Sequence, residues 1–157
     1  MRTTQILLAE AVLAGMEEEA GRHAPDESGG VLLGYAGRDD PRVVTVLFQV
    51  GPGPDAVHLP HRFEPDGPWQ EREIAAISER SGGVATYLGD WHSHPGGSGR
   101  PSGLDRSTAR QIARTSEARC PHPLMVILAG GQDNWEIAAH RLGRWRLRSV
   151  GAEVVQG

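Results

Sequence analysis

Two histidines and an aspartate define the chemistry open to this chain. His92 and His94 stand two residues apart in Gly89-Asp90-Trp91-His92-Ser93-His94-Pro95. The residues before them, Val84 to Trp91, are rich in β-branched and aromatic side chains and read as a strand. Alternate residues on a strand share a face, so His92 and His94 aim two imidazoles at one point while Trp91 and Ser93 face the other way. Pro95 to Pro101, with Gly96, Gly97 and Gly99, breaks the strand into a loop. Leu104, Thr108 and Ile112 then recur at helical spacing, so a helix starts near Ser102 or Gly103 with Asp105 in its first turn. A strand end, a loop and a helix start bring His92, His94 and Asp105 around one metal ion. Two imidazoles and one carboxylate leave a fourth position open on zinc, the arrangement of a catalytic rather than a closed structural site. One Zn2+ per chain is expected. A His-x-His pair by itself also describes an ordinary surface pair, and Ser102-x-x-Asp105 also reads as a capping box. The capping and metal roles do not exclude one another.

The elements around this site follow from periodicity. Ala9 to Gly21 is helical, with Val12, Leu13, Met16 and Ala20 on one face. Glu17, Glu18 and Glu19 oppose the helix dipole and predict a frayed end. Asp26-Glu27-Ser28 leads into the apolar strand Gly29 to Tyr35, which pairs as a hairpin with Arg42 to Val50. Val57 to Phe63 reads as an exposed, irregular β segment carrying His58 and His61. These two are open to metal ligation or plain solvation. Asp66-Gly67-Pro68 starts a second helix with Trp69, Ile74 and Ile77 on its buried side. Leu124 to Ala129 suits a central strand buried on both faces. Gly130 to Asp133 is a turn, and two half-buried strands, joined at Leu142-Gly143, carry Trp135 to His140 and Arg144 to Arg148. The last seven residues read as frayed. The fold class expected is α+β, close to α/β: one domain over residues 1–157, a curved mixed sheet flanked by about three helices.

Composition narrows the partners. A net charge of −4 with acids and bases mixed gives no footprint for nucleic acid or an anionic membrane, and neither is expected as a partner. No apolar run is long enough to span a bilayer, and Glu10 cuts short the Ile6 to Ala9 run, arguing against a signal peptide. The single cysteine, Cys120, excludes an internal disulfide and fits a reducing cytoplasm. Cys120 and His122 lack a base-orienting partner for a cysteine protease, and the His-Glu-x-x-His pattern is absent.

The joint pattern His92-Ser93-His94-Pro95, then Ser102-x-x-Asp105, resembles the signature of the JAMM metallopeptidases, also called the JAB1/MPN/Mov34 family. Pro25-x-Glu27 before Ser28-Gly29-Gly30-Val31-Leu32-Leu33-Gly34 resembles that family's first motif. The resemblance implies a domain of one curved sheet with flanking helices. It implies that Glu27 is the general base and then acid, and that Ser102 donates a hydrogen bond to the oxyanion. Asp90 is read either as support for a ligand imidazole or as an exposed carboxylate. Phe63 to Gln70 and Tyr87 to Pro95 look like small prokaryotic members, which resemble deconjugases of ubiquitin-like proteins. The implied function is zinc-dependent cleavage after the C-terminus of a ubiquitin-like protein to release it from its target. The implied partners are that protein or its conjugate and a ubiquitin-activating or conjugating-like enzyme of the same operon, in an antiphage setting. The segment Val57, His58, Leu59 corresponds to the family's insertion that adds a strand beside the substrate tail. Processing of a sulfur-carrier tail, or an idle JAMM scaffold, are the alternatives. A DNA-associated RadC-type relative would carry a helix-hairpin-helix extension or a basic face, and neither is legible.

Overall fold

The computed structural model describes residues 4–131 and 133–156. The elements run β1 (Gln5–Ala9), α1 (Glu10–His23), β2 (Gly29–Ala36), β3 (Val43–Val50), β4 (Val57–Leu59), β5 (Arg62–Glu64), α2 (Gly67–Arg80), β6 (Thr86–Pro95), α3 (Gly103–Arg114), a 3-10 turn (Ser116–Ala118), β7 (Leu124–Gly131), β8 (Asn134–Leu142) and β9 (Leu147–Val155). The mixed α+β character and the three helices agree with the sequence reading. The sheet goes further than a curve. It closes as a barrel in the order β1-β3-β2-β6-β7-β8-β9, with β1 parallel to both β3 and β9.

One expectation about the ends is corrected, since residues 151–155 are not frayed; Gln5–Ala9, given no element by the sequence except the helix start at Ala9, is a strand. Gly151 to Val155 pair with Gln5 to Ala9 and close the barrel. The Glu-rich end of α1 is not frayed either. Arg22 bonds Glu18 and Glu19 at 3.2 and 2.9 Å, and Glu19 also meets His23 Nε2 at 2.8 Å, so neighbouring bases offset the unfavourable dipole. Trp145, expected on a half-buried strand, is 74% exposed in the turn before β9. The turn expected at 130–133 includes Gln132, which lies outside the described residues.

The two sheet faces pack against different helices. Val12, Met16 and Ala20 of α1 meet Leu32, Val44, Val46, Trp91, Val126 and Leu128 inside the barrel. On the outer face, Ile77 of α2 packs with Val31, Leu33 and Val50, and Ala109 of α3 packs with Met125, Ile127 and Leu142. Strand parity therefore decides what each residue of β6 can do. Trp91 and Ser93 are 1% and 0% exposed, as the alternation predicts. A register shift against β2, at Leu32/Leu33, sets that parity, and it falls beside Gly89. Gly89 has φ +148°, and a side chain there would place its Cβ 2.1 Å from the Leu124 carbonyl oxygen. Only glycine lets β6 pass this close to β7 while turning the following residues into phase. His92 and His94 are thereby directed to the outer face, between α2 and α3.

Candidate metal centre

Two elements deliver the candidate ligands. β6 presents His92 and His94, and α3 begins with the capping box read from the sequence. Ser102 Oγ accepts from Asp105 N at 3.1 Å, and Ser102 N donates to Asp105 Oδ2 at 2.6 Å. This box fixes the Asp105 rotamer toward β6. His92 Nε2 then lies 3.1 Å from His94 Nε2 and 3.1 Å from Asp105 Oδ1, and His94 Nε2 lies 3.4 Å from Asp105 Oδ2. Among the described residues these three form a group able to hold a metal ion.

The donor set fits zinc. Ligand atoms about 2.0–2.1 Å from a tetrahedral ion lie about 3.3 Å from one another, close to the spacings observed. His94 Nδ1 is 2.8 Å from the Ser98 carbonyl oxygen, which can only accept. That contact fixes the proton on Nδ1 and leaves the Nε2 lone pair facing the cluster. Lone pairs of two imidazoles and a carboxylate repel unless a cation lies among them. The titration of the groups reflects the same demand. The Asp105 hydrogen bond raises His94 above its ordinary value, against the effect of burial. Burial acts to raise Asp105, but hydrogen bonds from His92 and His94 outweigh it and hold the carboxyl well below the usual range.

Glu27 enters from the segment just before β2. Its Oε1 is 3.9 Å from His94 Nε2, so it lies beside the cluster and outside the set of three. Burial raises its carboxyl above the ordinary value, with His92 and His94 opposing. Two short-range devices hold it there. Ser28 N donates to Ser93 Oγ at 2.9 Å, and Ser93 N donates to Ser28 O at 2.9 Å, tying the chain next to Glu27 to the strand between the two histidines. On its other side, Glu27 N donates to Leu59 O at 2.9 Å and His58 Nδ1 donates to Glu27 O at 2.9 Å.

His58 is half-buried in the hairpin. Its ring stacks on His23 at 3.5 Å between centroids and tilts against Phe63. Val57 and Leu59 are exposed. The hairpin's second strand borders the site: Arg62, Phe63 and Glu64 line a cavity of about 230 Å³ with Glu27, His92 and Asp105. A second cavity of about 380 Å³ lies on the other side of the cluster, between Pro60, His61, Gly96 and Ser102. Glu27, Leu104 and Asp105 line both cavities.

Asp90 shares the outer face with His92 but is not an exposed carboxylate. Tyr87 donates to Asp90 Oδ1 at 2.6 Å, and burial raises its carboxyl. Sequence reasoning missed Tyr87, the Ser28–Ser93 pair and His140. His140 Nε2 donates to Gly99 O at 2.9 Å and pins the loop that carries Ser98 and Ser102 to β8. The signal for His140 was strand parity, which turns it outward toward α3. Cys120 plays no part: burial pushes its thiol up to about 11, and it faces Leu88 O.

Residues 9–147 match the family model for prokaryotic homologs of the JAB domain. The chain is 40% identical over 131 residues to the probable metalloprotease y4qB of Sinorhizobium fredii, covering 83% of this chain and 79% of the relative. It is 30% identical over 125 residues to the CD-NTase/cGAS isopeptidase of Enterobacter hormaechei, covering 80% and 67%. The solution structure of protein DSY2949 from Desulfitobacterium hafniense superposes with a TM-score of 0.71 at 18% identity, over 97% of this chain and 94% of that one, which speaks to the fold alone.

Proposed function

Because this chain belongs to the family of prokaryotic homologs of the JAB domain, we propose that it is a zinc-dependent isopeptidase that releases a ubiquitin-like protein from its target. The observation that carries the reading is the convergence of His92, His94 and Asp105, with the Glu27 carboxylate 3.9 Å from His94 Nε2. Kinship with proteins named metalloprotease and isopeptidase supports the reaction class; an antiphage setting and a cytoplasmic location complete the proposal. Among the described residues no helix is long and apolar enough to cross a membrane.

When bound, zinc supplies Lewis acidity, polarising a carbonyl and making water easier to deprotonate near neutral pH. The chain's own residues do the rest. Glu27 takes a proton from the attacking water as the C–O bond forms, then delivers it to the leaving amine nitrogen as the C–N bond breaks. Its raised carboxyl is better matched to that exchange than an exposed glutamate. The Ser102 Oγ accepts from Asp105 N, so its own hydrogen is free to donate to the developing oxyanion. The hairpin lays the extended tail across the ligands, with β5 as the strand nearest the cleft.

The test is a panel of ubiquitin-like and sulfur-carrier proteins from the same genome, each fused through its C-terminal glycine to a reporter. The zinc-loaded chain releases the reporter from a ubiquitin-like fusion, chelation stops it, and Glu27→Gln loses roughly 10²-fold or more in turnover. Release from the sulfur-carrier fusion alone reassigns the substrate. No release from any fusion favours an idle scaffold.

A further inference from the structure

A second concavity opens on the far side of α3. It has a volume of about 760 Å³ and is lined by Arg106, Arg141, Arg144, Arg146 and Arg148, with no carboxylate in its wall. Among the described residues none of the five makes an ion pair. Arg141 is anchored internally, donating to the His122 carbonyl and to Thr4 Oγ1. Arg106, Arg144, Arg146 and Arg148 are exposed, and the Arg144 guanidinium lies over the exposed Trp145 ring at 5.0 Å.

Arg22, Arg42 and Arg62 each have an acidic partner within 4 Å, whereas these five gather around one hollow without one. Like charges gathered around one hollow repel and oppose compaction, a cost that interspersed acids normally offset. Arg110 and Arg114 extend the basic band along α3 and line a neighbouring hollow that also lacks acids. Arg106 directly follows the ligand Asp105, so the band begins one residue from the metal centre.

We infer that this arginine groove is a docking surface for a carboxylate-rich segment of the protein conjugate being cleaved, which rests on the isopeptidase reading above. Guanidinium forks match carboxylates bidentately, and arginine and tryptophan are the side chains that most often anchor protein interfaces. Charge favours a compact acidic segment over a long polyanion. Nine of the 16 arginines but only five of the 20 acidic residues follow Pro95, leaving seven arginines against fifteen acids in the rest of the chain. A nucleic acid running beyond the groove would meet that acidic remainder.

The test uses the zinc-loaded full chain and two fluorescein-labelled probes, a ten-residue oligoglutamate and a ten-nucleotide oligothymidylate, titrated by fluorescence anisotropy at low and high salt. The peptide is expected to bind, to weaken as salt screens it, and to bind roughly tenfold less tightly to the triple variant R144Q/R146Q/R148Q. The same variant should show a raised KM and unchanged kcat on a cleavable fusion whose target part carries the oligoglutamate. All three side chains are exposed, and unchanged melting and zinc content verify that the variant is intact. No peptide binding, or equal binding by the variant, overturns the proposal. Tighter, arginine-dependent binding of oligothymidylate also overturns it and assigns the groove to nucleic acid. A wild type that binds the peptide yet cleaves no fusion refutes the isopeptidase reading, with the groove still an acidic-peptide site.

Discussion

Ser93 is the residue through which the catalytic geometry and the fold are joined, and removing its hydroxyl has a calculable effect. Ser28 and Ser93 are both 0% exposed, and the Ser28 N–H has the Ser93 Oγ at 2.9 Å as its partner. Ser93→Ala leaves that donor buried and unsatisfied, at a cost of about 1–3 kcal/mol. For a chain of this size each kcal/mol moves the melting midpoint by about 2–4 °C, so Ser93→Ala should melt about 2–12 °C lower. The variant should still fold, because Ser93 N donates to Ser28 O through the backbone. The loosened residue is the neighbour of Glu27, so kcat should fall while zinc content stays at the wild-type level. Calorimetry and elemental analysis on the same preparations, with turnover on a cleavable fusion, read all three. An unchanged melting midpoint means that the Ser28 amide finds another acceptor. A fall in kcat fully explained by lost zinc means that the pair serves the ligands rather than Glu27.

Three further outcomes are expected. His58→Phe keeps a ring between His23 and Phe63 but removes the donor to the Glu27 carbonyl; kcat should drop roughly two- to tenfold with KM and zinc content unchanged, and a rise in KM alone would return His58 to the substrate groove. Burial raises Glu27 in the folded chain, so the folded state holds that proton more tightly and the carboxylate costs stability once pH exceeds the ordinary glutamate value. Metal-free Glu27→Gln should therefore melt above metal-free wild type at neutral pH and converge with it in acid, and a lower midpoint at neutral pH would contradict this sign. The 16 lysine-plus-arginine residues are all arginine, so in a system that joins proteins through lysine side chains these residues offer no side-chain acceptor; peptide mass mapping after incubation with the conjugating enzymes should find no modified side chain among them, and a modified one would refute this.

The cluster of His92, His94 and Asp105 was legible because its members are local. They lie on one strand and one helical turn joined by a short loop, and the parity of β6 and the capping box of α3 are both readable over short windows. Glu27 lies far off in sequence, and only its resemblance to a known motif singled it out. The barrel closure was not legible, since Gln5–Ala9 and Leu147–Val155 are joined by a parallel pairing across nearly the whole chain. A short strand that begins a chain and one broken by Gly151 and Glu153 carry little periodic signal of their own. The Ser28–Ser93 link was silent for a related reason: small buried polar residues show no pattern until their partners are known. The hollow around the arginines after Leu142 was not legible, because alternation says which way a residue points and not that it faces a hollow shared with another helix.

The central claim is that His92, His94 and Asp105 hold one zinc ion while Glu27 works beside it without binding it. Bound metal measured by elemental mass spectrometry on purified wild type, His92→Ala, Asp105→Ala and Glu27→Gln tests that division directly. About one zinc per chain is expected in wild type and Glu27→Gln, and almost none in the two ligand variants. Full zinc in His92→Ala or Asp105→Ala, or its loss from Glu27→Gln, would contradict it.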